Sequence, residues 1–449
     1  MKRDSFGSKL GILAAAAGSA IGLGNIWKFP YIAGENGGAA FILVYLFCIA
    51  IVGIPVMVSE FILGRKTQAN AAGAFKKLRP GSKWSITGYL GISTAFIILS
   101  YYAVIAGWLF AYISRSVTGK LITVAPNQIE AYFGNIIGNG YEIVLWSLFV
   151  IALTAFVVIS GVKKGIEKYS KILMPILFVL LIVLMFRSVT LEGASKGLEF
   201  LFKPDFSQLT TKGVLEALGH AFFSLSLGMA IIITYGSYVN KEENIASLSL
   251  QVVIADTLIA LMAGVVIFPA VFAYGFEPQA GATLIFITLP AVFHEMPFGA
   301  LFESLFFILV GIAAITSTIS LLEVSVAFVT EEFKLSRKKA TILLAAVLFL
   351  LSIPSALSFG VMSDVTVFGK TVFDIFDFTT SNILLPIGGL LVCLFVAWVW
   401  GTKNAVKEIT SDGMFGFKWE KLYSFILKYV APVAILLILL YSTGLIKLS

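Results

Sequence analysis

Asp256 stands near the middle of an apolar run at residues 246–275. A carboxylate there costs several kcal/mol unless a cation or hydrogen-bond donors face it, or unless it stays protonated between helices. Two other apolar runs are interrupted by small and oxygen-bearing residues, GSAIGLGN at 18–25 and SLSLG at 224–228. Asn25, Ser224 and Asp256, with backbone carbonyls freed at such breaks, make the all-oxygen ligand set that a hard cation such as sodium takes. Thr316, Ser317 and Thr318 place three successive hydroxyls in a further apolar run. Hydroxyls in a helix interior ordinarily bond back to carbonyls of the preceding turn, and that is the role this feature predicts on its own. Lys28 and Asp377, each at the expected edge of an apolar run, are interfacial charges that would close over a site if the fold paired them.

The elements that position these residues follow from composition. The chain has 449 residues, 59% hydrophobic and 13% charged, with a mean hydropathy of +0.96, whereas a soluble domain is about 25% charged. Apolar runs fall at 10–33, 39–64, 86–113, 143–162, 170–190, 214–238, 246–275, 298–330, 338–359, 372–401 and 422–446. Each suits a helix crossing the bilayer core, and none alternates as a barrel strand would. The reading is therefore an all-α integral membrane protein of 11 transmembrane helices.

The net charge of +7 is concentrated in connections, without a basic domain for nucleic acid. Arg65, Lys66, Lys76, Lys77, Arg79 and Lys83 follow the second run, and Lys2, Arg3, Lys163, Lys164, Lys168, Arg337, Lys338 and Lys339 fall on the same side. The connection holding Glu277, His294 and Glu295 has no Lys or Arg. Positive charge marks the cytoplasmic side, so the N-terminus is expected inside and Ser449 outside. The first apolar run is read as a retained span, since it continues into a Gly-rich stretch and more apolar sequence. Cys48 and Cys393 lie within apolar runs as packing residues, and His220 and His294 are the only histidines. No hydrolase, nucleophile-elbow or nucleotide-binding pattern is present, so the chain is not read as an enzyme.

The two interrupted runs are five spans apart. Backbone left unpaired at membrane depth is tolerated only where protein covers it or where it faces an ion, a substrate or water. Interruptions at matching places in two halves point to a midplane site in an inverted-repeat transporter. Close helix packing through Gly18, Gly22 and Gly24 is the plainer alternative, but it gives no role to Asn25, Ser224 or Ser226. The expected organisation is a first repeat at 1–190, a second at 214–401, and an eleventh, peripheral helix with its tail at 402–449.

The stretch GSAIGLGNIWKFPYIAGENGGAAF, FFSLSLG at 222–228, the Thr316–Ser317 pair and KLSRKKA at 334–340 occur in order and spacing. Together they resemble the neurotransmitter:sodium symporter family, in particular its bacterial amino-acid branch. The resemblance implies a first sodium site from the Ala20 carbonyl, Asn25, Ser224, Asp256 and the substrate carboxylate. It implies a second from the Gly18, Ile21 and Ala313 carbonyls with the Thr316 and Ser317 hydroxyls, which reverses the plain reading of that pair. The substrate carboxylate would meet the Leu23 and Gly24 amides and the Tyr102 hydroxyl, and its amine the Ala20, Phe223 and Ser224 carbonyls and Ser226. Ser19, Ile98, Phe223, Met229, Ser317 and Leu321 would complete the lining.

Departures from the family pattern carry further expectations. Asp256 supplies fixed negative charge where chloride-dependent members borrow an anion, which implies no chloride requirement. Gly22 stands where monoamine carriers have an aspartate, which implies a substrate with its own carboxylate. Met229 replaces a bulkier aromatic, favouring an adaptable pocket. His220 takes the place of a glutamine near the outer gate, and Lys28 replaces an arginine opposite Asp377. Arg3 with Glu331 resembles the inner gate, Phe6 stands where a tryptophan is common, and Gly165 with Pro175 resembles the motif that lets the fifth helix unwind. The resemblance thus implies a sodium-coupled, alternating-access importer of hydrophobic or aromatic amino acids such as Trp, Tyr and Leu, in a bacterial inner membrane. A sodium-independent carrier and a non-transporting amino-acid sensor on the same scaffold are the alternatives.

Overall fold

A computed structural model describes residues 4–276 and 283–446. Arg3, Lys2, Glu277 and Ser449, which carry parts of the gate and topology expectations, lie outside the described residues. Helices account for the fold; among the described residues the only β pairing is an isolated bridge between Val367 and Lys370.

In chain order the elements used below are α1 (Lys9–Ala20), α2 (Gly24–Glu35), α3 (Ala39–Thr67), α4 (Ser85–Val117), α5 (Gly140–Ile159), α6 (Val162–Val189), α7 (Thr211–Ser224) and α8 (Ile231–Gly236). They continue with α9 (Ile245–Ala273), α10 (Gly299–Glu332), α11 (Arg337–Leu357), α12 (Val372–Val399) and α13 (Glu420–Ser442). Several helices begin where a short polar side chain accepts an exposed backbone N–H: Ser8 from Gly11, Thr210 from Gly213, Asn244 from Ser247 and Ser336 from Lys339.

Nine of these helices are long and apolar enough to cross a bilayer, and α1 with α2 makes a tenth span bent by 49°. The segment expected as the sixth of eleven spans meets that length in neither piece. It is split into α7, of 14 residues, and α8, of 6, with six non-helical residues between them. The polar SLSLG stretch interrupts the helix at the place where a continuous span would have to pass.

The core is built on α4 and α10, whose most apolar windows are 78% buried, against 22% for α6 and 33% for α11 and α13. The latter three therefore form the lipid-facing rim. Against the core pack both broken segments: α1 touches α6, α9 and α10, while α8 lies along α3. The α3–α8 crossing is close because glycines meet there. A Cβ on Gly64 would collide with the Ile233 carbonyl and reach 2.6 Å from the Ser237 nitrogen, and one on Gly236 would lie 2.5 Å from the Phe61 carbonyl. This contact seats α8 after the break.

Overpacking a tight contact costs about 1–3 kcal/mol, and here the opposing atoms are backbone, which cannot rotate away. Gly64→Val is therefore expected to lower the melting temperature of the detergent-solubilised protein and to reduce its recovery, while Gly416→Val, which meets open space, leaves both unchanged.

Candidate functional site

The first break starts from the hydrogen bonds that α1 loses. Ile21 N–H closes the last helical bond, to Ala17 O at 2.7 Å. The next two donors turn away: Gly22 N–H goes to Asn25 Oδ1 at 3.0 Å, and Leu23 N–H to the Tyr102 hydroxyl at 3.3 Å. The Gly18 and Ser19 carbonyls thus lose their helical donors. Ser19 O receives hydroxyls from Ser226 at 3.1 Å and Ser317 at 3.4 Å. Tyr102 on α4, Ser226 after α7 and Ser317 on α10 therefore all close on the break.

The second break uses backbone that L-residues seldom adopt. Ser226, Gly228 and Ala230 have φ of 56°, 78° and 62°, in the left-handed region that costs non-glycine residues of order 1 kcal/mol or more. Gly228 is required twice over, since a Cβ there would strike the Leu385 carbonyl. Its N–H donates to Glu60 Oε1 at 2.7 Å, and Glu60 is fully buried on α3. Glu60 thus takes up backbone polarity that the lost helix would have satisfied.

Between the two breaks sits Asp256, at 0% exposure. Asn25 Nδ2 donates to its carboxylate at 2.7 Å and to its carbonyl at 3.0 Å, and Ser224 Oγ donates to the two carboxylate oxygens at 3.1 and 3.0 Å. Asn25 also reaches Ser224 Oγ at 3.3 Å. The sequence-predicted triad is therefore one connected cluster contributed by α2, α7 and α9. Among the described residues no Lys, Arg or His lies within ion-pairing distance of Asp256.

A cavity of about 30 Å³ adjoins this cluster. All twelve residues expected to line a substrate site border it: Ser19, Ala20, Leu23 and Gly24 from the first break, Phe223, Ser224, Ser226 and Met229 from the second, Ile98 and Tyr102 from α4, and Ser317 and Leu321 from α10. Gly22 borders it as well, and a Cβ on Gly22 would lie 2.5 Å from Ser317 Oγ. Since about 10–15 Å³ holds one water, the cavity is contracted and must widen to take an amino acid.

The second set of oxygens is looser. Thr316 Oγ1 donates to Ala313 O at 3.0 Å and Ser317 Oγ to the same carbonyl at 3.3 Å, the back-bonding ordinary for helix hydroxyls. Gly18 and Ile21 sit on the facing element, and Met174 of α6 packs within 3.4 Å of the Cβ position on Gly18. Gly165 lies in a π-type turn opening α6, Val162–Glu167, where a Cβ would strike the Val157 carbonyl, and Pro175 lies farther along α6.

The outer charges do not meet. Lys28 Nζ lies 4.6 Å from the Phe223 ring centroid, Asp377 accepts from Ser381 Oγ at 3.0 Å, and the two are not within the 4.0 Å of an ion pair. His220 is buried one turn before Ser224, its ring 5.3 Å from that of Tyr45 and 5.9 Å from that of Phe29. On the opposite side Glu331 accepts from the Asn70 backbone at 2.8 Å and side chain at 3.0 Å. Phe6, in place of the more common tryptophan, is buried and packs edge-on to Tyr235 and Tyr238.

Two charge clusters there escaped the sequence reading. Arg337 pairs with buried Glu323, which also accepts from the Tyr238 hydroxyl at 2.6 Å. Glu167 accepts from Gly7 N–H at 2.6 Å, Ser8 Oγ at 2.9 Å and Lys171 Nζ at 2.5 Å, tying the chain ahead of α1 to the π-type turn of α6. The signal available was the one that singled out Asp256, a lone acid in or beside an apolar run.

Two broken helices facing each other around a buried cavity in a helical membrane protein are the arrangement of a solute transporter. The chain belongs to the Sodium:neurotransmitter symporter family, which it matches over residues 3–129 and 136–448. It is 44% identical to the uncharacterized sodium-dependent transporter YhdH of Bacillus subtilis, over 99% of both chains, and 38% identical to an uncharacterized sodium-dependent transporter of Haemophilus influenzae, over 97% of both. Its structure superposes on the crystal structure of MhsT in complex with L-phenylalanine with a TM-score of 0.90 and 46% identity, covering 98% of this chain and all of that one.

Glu167→Gln keeps the shape but removes the charge that three donors converge on. Hydrogen exchange across residues 4–20 is expected to speed up at least severalfold in this variant, with exchange in α4 unchanged.

Proposed function

We propose that this protein is a sodium-coupled symporter of hydrophobic and aromatic amino acids that works by alternating access and needs no chloride. The observation that carries the reading is the Asp256 carboxylate, wholly buried, with only Asn25 and Ser224 as side-chain partners and no basic group against it among the described residues. A cation beside it balances its charge, and the neighbouring oxygens suit sodium. On this reading Ala20 O, Asn25, Ser224 and Asp256 with the substrate carboxylate hold one sodium, and Gly18, Ile21, Ala313, Thr316 and Ser317 a second. The carboxylate of Asp256 is a fixed negative charge, so an anion from solution is not required.

Substrate class follows from the cavity wall. Ile98, Phe223, Met229 and Leu321 are the side chains available to an apolar substrate group. Gly22 stands where monoamine carriers have an aspartate and offers no carboxylate to pair a ligand's amine, which favours a ligand that brings its own carboxylate. The Leu23 and Gly24 amides and Tyr102 are the groups that would receive it. The L-phenylalanine held by MhsT in its crystal structure agrees with this class. Residues 1–190 and 214–401 act as two inverted five-helix repeats, with 402–449 peripheral, and the split α7–α8 segment traverses the membrane as the sixth of eleven spans. Lys28 and Asp377 draw together as the outer side closes, Arg3 and Glu331 close the inner side, and loosening of α6 between Gly165 and Pro175 opens the path from the second sodium site. The protein resides in the inner membrane of a bacterium, N-terminus in the cytoplasm and C-terminus outside.

Uptake of labelled tryptophan, tyrosine, leucine and phenylalanine into proteoliposomes tests the reading. Concentrative uptake is expected with an inward sodium gradient, absent with potassium, and unchanged when gluconate replaces chloride. Uptake indifferent to sodium would leave a sodium-independent carrier, and sodium-dependent binding without uptake would leave a sensor. Gly22→Ala is expected to abolish uptake while the protein still elutes as a single folded species.

A further inference from the structure

An apolar groove opens beside α6, on the lipid-facing side. Between α4, α5, α6 and α10 lies a cavity of about 340 Å³ walled by Phe110, Leu153, Phe156, Tyr169, Ile312 and Ile315 among others. That volume falls in the range of roughly 300–1,000 Å³ of small-molecule sites. The Tyr169 hydroxyl is the sole polar side-chain group on its wall. Two aromatic pairs frame it, Phe110 with Phe149 at 5.3 Å and Phe156 with Tyr169 at 6.4 Å. Phe149, Phe156 and Ile172 beside it are 46%, 59% and 47% exposed. α5 and α6 are membrane spans, so the medium meeting this face is hydrocarbon and the groove is not a water pocket.

Charge at one end of the groove narrows the occupant. Lys163, Lys164 and Lys168 are exposed at the start of α6, and Lys168 lies one turn before exposed Ile172. The acid among them, Glu167, is buried and committed to Gly7, Ser8 and Lys171. Lys163 lies against Gly7, and Asp4, near Gly161, pairs with Arg337 at 3.7 Å, so Lys164 and Lys168 are left to favour an anionic headgroup. We infer that the groove holds one acyl chain of an anionic phospholipid, whose headgroup lies at Lys164 and Lys168.

The position gives this lipid a mechanical role. Tyr169 and Leu173 line the groove, whereas Met174, the next residue, packs against Gly18. The same stretch of α6 thus separates the groove from the first break, and it lies between Gly165 and Pro175. Pro175 removes a helical hydrogen bond there, so α6 relies on side-chain packing to keep its shape. A chain filling the groove supplies that packing and slows the opening of 162–175. The inference concerns lipid binding and holds whatever solute is carried.

The test uses the full-length protein in nanodiscs of phosphatidylcholine with a minor fraction of phosphatidylglycerol carrying a photoactivatable diazirine on one acyl chain. Adducts mapped by mass spectrometry are expected to concentrate severalfold in 153–157, 169–173 and 308–315 over other exposed apolar segments such as 342–350 and 433–437. The same diazirine on phosphatidylcholine should label them less. Leu153→Trp, which fills the groove, should lower that labelling, and Lys168→Gln, which leaves the wall untouched, should erase the preference for phosphatidylglycerol. Hydrogen exchange in 162–175 should slow when phosphatidylglycerol is added to wild type and not to Leu153→Trp. Labelling spread evenly over the lipid-facing helices, or unchanged in both variants, would overturn the site. Exchange that ignores the lipid would overturn its bracing role.

Discussion

A carboxylate held out of water, with no basic side chain against it among the described residues, is the constraint on which the rest of this structure depends. Asp256 lies in the middle of a membrane span, where a carboxyl group is tolerated only if hydrogen-bond donors, a cation or a proton meet it. Convergence requires side chains from three separate segments, so Asn25 and Ser224 must be delivered by helices that stop at the right depth. Both helices stop. The hydrogen bonds they forgo are taken up by Asn25, Tyr102, Ser226 and Glu60, none of which lies in the helix turn it replaces. The broken backbone and the buried acid thus stabilise each other.

This arrangement divides the molecule into parts that hold and parts that yield. α4 and α10 are the most buried spans and present Ile98, Tyr102, Ser317 and Leu321 from rigid helix. The breaks, by contrast, rest on side-chain-dependent hydrogen bonds, which are easier to exchange than a helical ladder, and the second also carries left-handed residues. α6 lies on the rim, begins with a π-type turn and contains a proline. It is tied to the N-terminal segment through Glu167, so motion in one is felt by the other. The cavity is contracted in this arrangement, and its enlargement falls to the segments that yield.

Much of this was legible in the sequence, for a physical reason. A hydrocarbon surround tolerates few polar residues, so each exception marks a place where something is paired or bound, and Asp256, Asn25 and Ser224 stood out on that ground. The twelve lining residues came from the family resemblance, and the structure gathers them at one cavity. The number of continuous spans was less legible, because hydropathy averages across the SLSLG break that divides α7 from α8. Pairing was the least legible. Glu60 meets Gly228 across 168 positions and Glu167 meets Gly7 across 160, and one sequence does not show which distant groups meet. For the same reason Lys28 and Asp377 could be named as candidates for an ion pair, yet Lys28 rests on Phe223 here and Asp377 on Ser381.

On the proposed function, the amino acid and a sodium ion complete one another's site at Asp256. This is tested most directly by measuring equilibrium binding of labelled leucine at a series of sodium concentrations, and of labelled sodium at a series of leucine concentrations, on the same purified protein. Linkage requires that each ligand raise the other's affinity by one common factor, of about 5–150 for couplings of the usual size. Such a factor is expected in the wild type, and its loss in Asp256→Ala. Leucine affinity that does not change with sodium would contradict that reading.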